Sequence, residues 1–245
     1  RLGTIAAGST ASDYHTEEKE RKISIQASLL HTEWLDRKFS IIDTPGYLDF
    51  ISESLGALRV ADSAVVVVHA QHGVGVGTDQ VWKNATDYGI PKILVVNGLD
   101  REHVNFETVL GQLRSRFGDR VFPLSIPIDA GPGFHQTLDV MHQSVTAYAT
   151  DGSGKYTEAP AADAWQAEAE KLHKQLVELI AESDDALLEK YLDQGNLSEE
   201  EVRAALHAAF QKQALIPLFV TAAEINVGAA RLMDFIAKYG ASPVD

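Results

Sequence analysis

The sequence predicts an α/β domain, in which helices cover a sheet. Short runs rich in β-branched residues alternate with amphipathic stretches along the first half of the chain, and this alternation is typical of that class. Two of the runs, SAVVVVHA at 63–70 and KILVVNG at 92–98, are continuously apolar, as strands buried on both faces of a sheet are. The run PLFVTAA at 217–223 predicts a further strand of the same kind.

In chain order, the first expected element is a hairpin. The runs ISIQASLLHTEW and KFSIID flank the turn residues Leu35, Asp36 and Arg37, so two antiparallel strands are predicted there. Helices are expected between the later strands, because apolar residues recur in those stretches at helical spacing. The predicted helices cover residues 49–60, 78–88, 106–117 and 228–238.

The pattern changes between Pro127 and Gln213, where loop-rich segments precede helices with one apolar stripe. The last of these helices opens with a capping box formed by Ser198 and Glu201. We interpret this stretch as an insert subdomain that precedes the final strand of the main sheet. The expected division is a first part of the domain at 1–126, the insert at 127–213, and the last strand and helix at 214–245.

Composition limits the class of protein. The 245 residues carry a formal charge of -14 and no cysteine, which excludes disulfides and thiolate metal sites. Between Ser125 and Gln213 there are 16 acidic against 6 basic side chains, so this stretch holds -10 of the -14. Such a surface argues against free nucleic-acid binding, which needs clustered Lys and Arg, and favours a protein partner. It is more often typical of a solvated helical face that only maintains solubility.

Polar and small residues follow several predicted strands at the edge where ligands collect in α/β sheets. Asp43, the last residue of KFSIID, could hold a Mg²⁺-bound water, and Gly46 could offer its N–H to a terminal phosphate. Asp100 could accept two hydrogen bonds from the N1–H and amine of guanine, while Asn97 would tie the base to neighbouring loops. Taken singly, each of these residues is more typical of a turn or a helix cap.

Four segments together resemble the translational GTPases, and most closely the first domain of elongation factor G. They are ERKISI at 20–25, DTPGYLDF at 43–50, NGLD at 97–100 and TAA at 221–223. The similarity extends from about Asp13 to the carboxyl end, where SPVD resembles the join to the second domain of that family. The family motifs at these positions are R-G-I-T-I, D-T-P-G-H-V-D-F, N-K-x-D and G-S-A.

The resemblance implies a P-loop GTPase-like, doubly wound and mostly parallel sheet with an α+β insert subdomain. It implies GTP or GDP with Mg²⁺ as ligands, and switch segments at 13–25 and 43–58 that change order with the γ-phosphate. Ser24 and Asp43 would serve the metal, and Gly46 would sense the γ-phosphate. The guanine-binding residues implied are Asn97, Asp100, Thr221, Ala222 and Ala223.

Partners and compartment are also implied. A member of this family would act on the ribosome, and its acidic insert would dock a ribosomal stalk protein. We expect a monomer in the cytoplasm, because no apolar run of the sequence is long enough to cross a bilayer and the first twenty residues lack a secretory layout.

Tyr47 is the first departure from the family pattern. It replaces the histidine that orients the attacking water in the family, and a phenol with a pKa near 10 is a poor base or charged stabiliser at neutral pH. We therefore expect slow hydrolysis. Gly98 replaces the family lysine whose stem packs along base and ribose, which should weaken nucleotide binding.

A P-loop, G-x-x-x-x-G-K-[ST], is not found in the sequence, since the only Gly-Lys pair, Gly154-Lys155, is followed by Tyr156. In the family, that loop and its strand lie upstream of where this chain begins, and we expect that strand to be missing at the amino end. A chain without it should be inactive as a GTPase alone. The alternative interpretation is a degenerate GTPase-fold module for ribosome or protein binding without GTP turnover, and a less favoured one is a drug-resistance ribosomal protection factor.

Overall fold

The computed structural model describes residues 3–243 and confirms the α/β fold. Its strands are β1 (Ser28–Trp34), β2 (Arg37–Asp43), β3 (Ala64–His69), β4 (Lys92–Asn97), β5 (Val121–Pro123), β6 (Ser125–Ile128), β7 (Gln136–Asp139), β8 (Ser144–Tyr148), β9 (Tyr156–Pro160) and β10 (Ile216–Thr221). Its helices are α1 (Thr16–Arg21), α2 (Ile51–Leu58), α3 (Val76–Asp87), α4 (Phe106–Phe117), α5 (Asp163–Ala181), α6 (Asp185–Gln194), α7 (Glu199–Gln211) and α8 (Ala229–Tyr239). Single 3₁₀ turns lie at Leu48–Phe50 and Ala223–Ile225.

The central sheet is parallel, with the strand order β3-β4-β10-β5. Its register aligns three strand ends, because Asn97 pairs with His69 on one side and with Thr221 on the other. β4 and β10 are the inner strands, and their apolar side chains are buried, as continuous apolar runs predict. The loops that follow these aligned ends therefore lie at one edge of the sheet.

β3 differs from the sequence prediction. The run SAVVVVHA was expected to be buried on both faces, but its residues alternate, and Val65 and Val67 are 42% and 59% exposed. Within residues 3–243, β3 is an edge strand, and the named helix packed against it is α3. The run therefore identified the strand correctly and its burial wrongly, because the burial of each Val side chain depends on which elements cover that face of the strand.

β1 and β2 form the predicted antiparallel hairpin, and Leu35 and Asp36 adopt the left-handed conformation at its turn. In the described part of the chain this hairpin pairs with neither strand edge of the central sheet. It is fastened instead to α8, where Trp34 Nε1 donates to Asp234 Oδ1 at 2.8 Å.

The insert contains an antiparallel sheet, β6-β7-β8-β9, and the helices α5, α6 and α7. The capping box of α7 forms as predicted: Ser198 Oγ accepts from Glu201 N at 3.3 Å, and Glu201 Oε2 accepts from Ser198 N at 3.0 Å. The proposed boundaries at 127 and 213 stay predictions, as does the join at SPVD, of which residues 244–245 lie outside the described residues.

Arg231 of α8 joins the insert sheet to the main domain. Its guanidinium is largely buried, lies 3.5 Å from Asp139 and 3.3 Å from Asp234, contacts Glu158, and lies 5.0 Å from the Tyr156 ring centroid. This cation links β7 and β9 of the insert sheet to α8. Asp139 and Asp234 also bond His142 and Trp34, but Arg231 supplies the positive charge that offsets the cost of burying both carboxylates. In residues 3–243, none of the helices has the length and apolar character needed to cross a bilayer.

Candidate functional site

The predicted guanine-binding residues come together around the side chain of Asn97. Asn97 Oδ1 accepts from Thr221 Oγ1 at 3.0 Å and from Ala223 N at 2.9 Å. The aligned register of β4 and β10 produces this contact, because it brings both strand ends level. Asn97 therefore connects the loop after β4 to the loop after β10, as its predicted role requires.

Backbone hydrogen bonds hold the loop after β10 in place. Thr221 O accepts from the N–H groups of Gly98 and Leu99 at 3.0 and 3.3 Å, and Ala222 exchanges two hydrogen bonds with Val227. Gly228, with φ 85°, follows this bridge, and a Cβ there would lie 2.2 Å from Val220 O. Only glycine therefore fits at the base of this loop.

Ala223 and Asp100 were predicted to contact guanine directly. The Ala223 N–H donates to Asn97, so a guanine oxygen would share this donor. Asp100 is half-buried and directly follows Leu99, whose N–H donates to Thr221 O. Both residues thus lie at the edge where Asn97 and Thr221 meet.

Three of the residues predicted to act on the phosphates, the metal or the attacking water line a separate cavity of about 400 Å³. This size is in the range of small-molecule sites. Its wall includes Ser24, Gly46 and Tyr47 of the predicted set, together with Asp13 and Lys22. The Tyr47 side chain is 57% exposed, which leaves its phenol free to reach into the cavity or into solvent.

Asp13 was not singled out from the sequence, yet it is the carboxylate beside Ser24. Ser24 Oγ donates to Asp13 Oδ1 at 2.7 Å, and Thr10 Oγ1 donates to Asp13 Oδ2 at 2.9 Å. One carboxylate and one hydroxyl fit Mg²⁺, which takes few protein oxygens and fills its other positions with phosphate and water. Among residues 3–243, no group of three or more His, Cys, Asp or Glu forms a self-sufficient metal site.

Asp43 does not join this cavity. Its backbone pairs with Ser28 at the end of the hairpin, and its side chain is exposed. The described residues that line the cavity do not include it. The expected role of Asp43, which is to hold the Mg²⁺-bound water, therefore stays a prediction. No contact of Asp43 with Ser24 or Asp13 supports it.

Glu18 is a second residue that sequence reasoning missed. Its buried carboxylate accepts from the backbone N–H groups of Ile25, Gln26 and His15 at 2.9, 3.1 and 3.1 Å. Burial acts to raise the pKa of Glu18, but these three donors hold it below its usual value. They also explain why β1 begins at Ser28 and not at Ile23, since the Ile25 and Gln26 amides are already used. The signal in the sequence was Glu three residues after His15, the spacing of a capping box.

The segment from the end of β3 to the start of α3 contacts both halves of the site. Ala70 N donates to Asn97 O at 2.8 Å on the guanine side. On the other side, a Cβ added at Gly77 would lie 3.6 Å from Gly46 O. The two groups of predicted residues are therefore bridged by residues 69–77. Gly154 and Lys155 lie in the connection between β8 and β9.

Comparisons with known proteins identify the family of the chain and support its fold. The sequence family described as the elongation factor Tu GTP binding domain matches residues 3–242. A crystal structure of a protein from Thermus thermophilus superposes with a TM-score of 0.92 at 30% identity. That match covers 100% of the present chain and 36% of the other one, so the chain spans about a third of the length of that protein.

Proposed function

Because the chain belongs to the family of elongation factor Tu GTP-binding domains, the first domain of translational GTPases, we propose that it serves an elongation factor G-like translation factor on the ribosome. Membership of this family implies that the chain binds a guanine nucleotide and takes part in translation. The single observation that supports the site is the Asn97 side chain, bonded to Thr221 and Ala223. It gives the guanine-binding loops one shared anchor.

Recognition of guanine is the task we assign to the edge around Asn97. The Asp100 carboxylate accepts from the N1–H and the exocyclic amine of guanine, a pair of donors that adenine lacks. Thr221 and Ala222 hold the backbone of their loop, so that Ala223 N–H can approach the guanine oxygen. Loss of Asp100 should therefore reduce the preference for guanine more than the affinity for phosphate.

The phosphates are expected in the cavity beside Ser24. Lys22 offers a positive charge there, and Gly46 offers its backbone N–H to the γ-phosphate. Ser24 and Asp13 are the residues that would hold Mg²⁺, with Asp43 retained as a proposed holder of its water. When bound, the metal neutralises part of the charge on the phosphate oxygens.

Hydrolysis is the step in which this chain should be weak. Tyr47 occupies the position from which the family histidine orients water, and its side chain is exposed on the cavity wall. A neutral phenol can hold one water molecule by a hydrogen bond but does not stabilise developing negative charge as an imidazolium does. We therefore propose GTP binding with slow turnover.

A second function, a GTPase-fold module that binds the ribosome or a protein without turnover, is favoured by Tyr47 and Gly98 together. Gly98 removes a side chain from the guanine edge, and Tyr47 removes the water-orienting group. For either function we propose a cytoplasmic monomer whose acidic insert docks a ribosomal stalk protein.

Titration of a fluorescent GTP analogue into the full chain, followed by phosphate release with and without ribosomes, tests the proposal. We expect saturable binding that excess GDP displaces and excess ADP does not, with little turnover. Asp100→Ala is the matched variant and should lose the distinction between GDP and ADP. Turnover without nucleotide selectivity, or no binding at all, would refute the proposed function and leave the module alternative.

A further inference from the structure

His69 lies against the residue that has lost the family side chain. It is the last residue of β3, level with Asn97 in the register of the sheet. A Cβ placed on Gly98 would lie 3.3 Å from His69 Nε2. The imidazole therefore fills space beside the glycine, where the lysine stem of an N-K-x-D sequence would begin.

The ring of His69 is held in one orientation by a tight turn. His69 O accepts from His72 N at 3.1 Å and from Gly73 N at 2.8 Å, and Gly73 supplies the left-handed φ of 65° that this turn needs. His69 Nδ1 accepts from Gln71 N at 3.2 Å. Because Nδ1 is an acceptor, the neutral ring carries its proton on Nε2, the nitrogen that faces Gly98.

A second imidazole lies behind the first. The His72 ring stacks on His69 with centroids 4.7 Å apart and an interplanar angle of 28°. Burial, then His72 and Arg101, hold the pKa of His69 below its usual value, which favours the neutral ring. A neutral His69 avoids the repulsion that two stacked imidazolium groups would meet.

This pair borders the proposed guanine edge. Ala70 N–H, next to His69, donates to Asn97 O at 2.8 Å, and Gly98, two residues before Asp100, lies beside His69 Nε2. A flat ring beside residues that recognise the edge of a base is suited to contact the face of that base.

We propose that His69, supported by His72, is a nucleotide-binding residue that forms one wall of the guanosine pocket. It contacts the base and ribose through its ring and its Nε2–H, in the space left by Gly98. The inference rests on the proposed function, since it requires a guanine nucleotide at this edge. In the family pattern a lysine stem packs along the base and ribose. Here the ring of His69 would make that contact.

Binding of a fluorescent GDP analogue to the full chain tests this assignment. His69→Ala should weaken binding about tenfold, because stacking on a base contributes on that order. His69→Phe keeps a ring and should retain most of the affinity. His31→Ala is the matched control, since His31 is exposed on β1, far along the chain from the guanine loops, and should bind as the unaltered chain does.

A second readout separates a contact with the face of the base from recognition of its edge. His69→Ala should weaken GDP and inosine diphosphate by the same factor, whereas Asp100→Ala should change the ratio between them. Thermal unfolding of each variant identifies a folding defect. If His69→Ala has one, the GDP affinity of His69→Phe is compared with that of the unaltered chain instead. Equal GDP affinity of His69→Ala and the unaltered chain would overturn the inference alone. No GDP binding by the unaltered chain would overturn the proposed function and the inference with it.

Discussion

The phenol of Tyr47 lies exposed on the wall of the phosphate cavity, next to Gly46. Tyr47→His should raise ribosome-stimulated phosphate release by about a hundredfold, because an imidazole can orient water and carry charge in the transition state. Nucleotide affinity should hardly change. Stopped-flow phosphate release measures the rate, and Tyr47→Phe is the control that isolates the hydroxyl. Ordinary family-like turnover by the unaltered chain would contradict this argument.

The Asn97 side-chain oxygen accepts two hydrogen bonds, from the Thr221 hydroxyl and from the Ala223 N–H. Thr221 is buried. Asn97→Ala should lower the free energy of unfolding by about 1–3 kcal/mol, the usual cost of a buried polar group left unpaired. Urea denaturation gives this value. Asn97→Asp keeps the acceptor oxygen and should lose less. An alanine variant as stable as the aspartate variant would show that the hydrogen bonds are not the cause.

Among the elements, the segment at 13–25 is fixed by Glu18. Glu18→Gln replaces one acceptor oxygen by an amide nitrogen that would face a backbone N–H, so hydrogen exchange of residues 13–25 should accelerate. Because the folded pKa of Glu18 is lowered, its contribution is complete above the unfolded value near 4.5 and is lost as the pH falls through the folded value. Hydrogen exchange by mass spectrometry at pH 7 and below measures both effects.

Glu17→Gln is the matched control for Glu18, since Glu17 lies in the same turn of α1 and is exposed. It should exchange like the unaltered chain at every pH. Equal protection of 13–25 in the Glu18 and Glu17 variants would mean that other contacts hold this segment.

The contact between α8 and the insert sheet depends on Arg231. Arg231→Met should destabilise the chain by about 3 kcal/mol, because it leaves buried carboxylates without their cation. Asp139 is the most affected: burial acts to raise its pKa, while His142 and Arg231 hold it below the usual value. Urea denaturation at pH 7 measures the loss, which should shrink as the pH falls through the folded pKa of Asp139 and the carboxylate is protonated.

The control for Arg231 is Arg203→Met on α7. Arg203 lies 3.3 Å from Glu199 in an exposed pair, and such surface pairs contribute about 0–1 kcal/mol. Losses of equal size in the two variants would refute the argument from burial.

At the scale of the whole molecule, negative charge is concentrated in the insert, which holds -10 of -14. Three exposed carboxylates on α6 and α7 are Glu189, Asp193 and Glu200. Their replacement by the corresponding amides should slow association with a ribosomal stalk protein by roughly tenfold at low salt, since charge steers encounter. The affinity for GDP should stay the same. Association rates at several salt concentrations provide the measurement.

Three exposed carboxylates outside the insert serve as the comparison: Glu17, Glu20 and Glu33. Their amides remove the same charge from the chain, and they should leave the association rate nearly unchanged. If both triple variants slow association equally, net charge and not the insert is responsible.

The parts of the molecule that depend on local sequence could be predicted. β4 follows from its apolar run, the cap of α7 from Ser198 and Glu201, and the meeting of Asn97 with the loop after β10 from parallel strand order. The exposure of Val65 could not be predicted, because it depends on which elements cover β3.

Contacts between distant segments were the other limit. The carboxylates around Arg231 lie on β7, β9 and α8 itself, and no spacing rule relates β7 and β9 to that helix. Asp13 beside Ser24 was missed for the same reason, since no regular periodicity relates the two positions. The proximity of His69 to Gly98 could not be predicted either, because it arises only when β3 and β4 are paired.

The uneven distribution of charge makes the molecule an electric dipole, with the insert as its negative pole. Near a polyanion, such as folded RNA, that pole is repelled and the whole body experiences a torque within about one Debye length, roughly 8 Å at physiological ionic strength. The domain would then rotate before it touches, with its insert turned outward into solvent. Orientation in the encounter would thus be set by the field that surrounds both bodies, and not by any single contact.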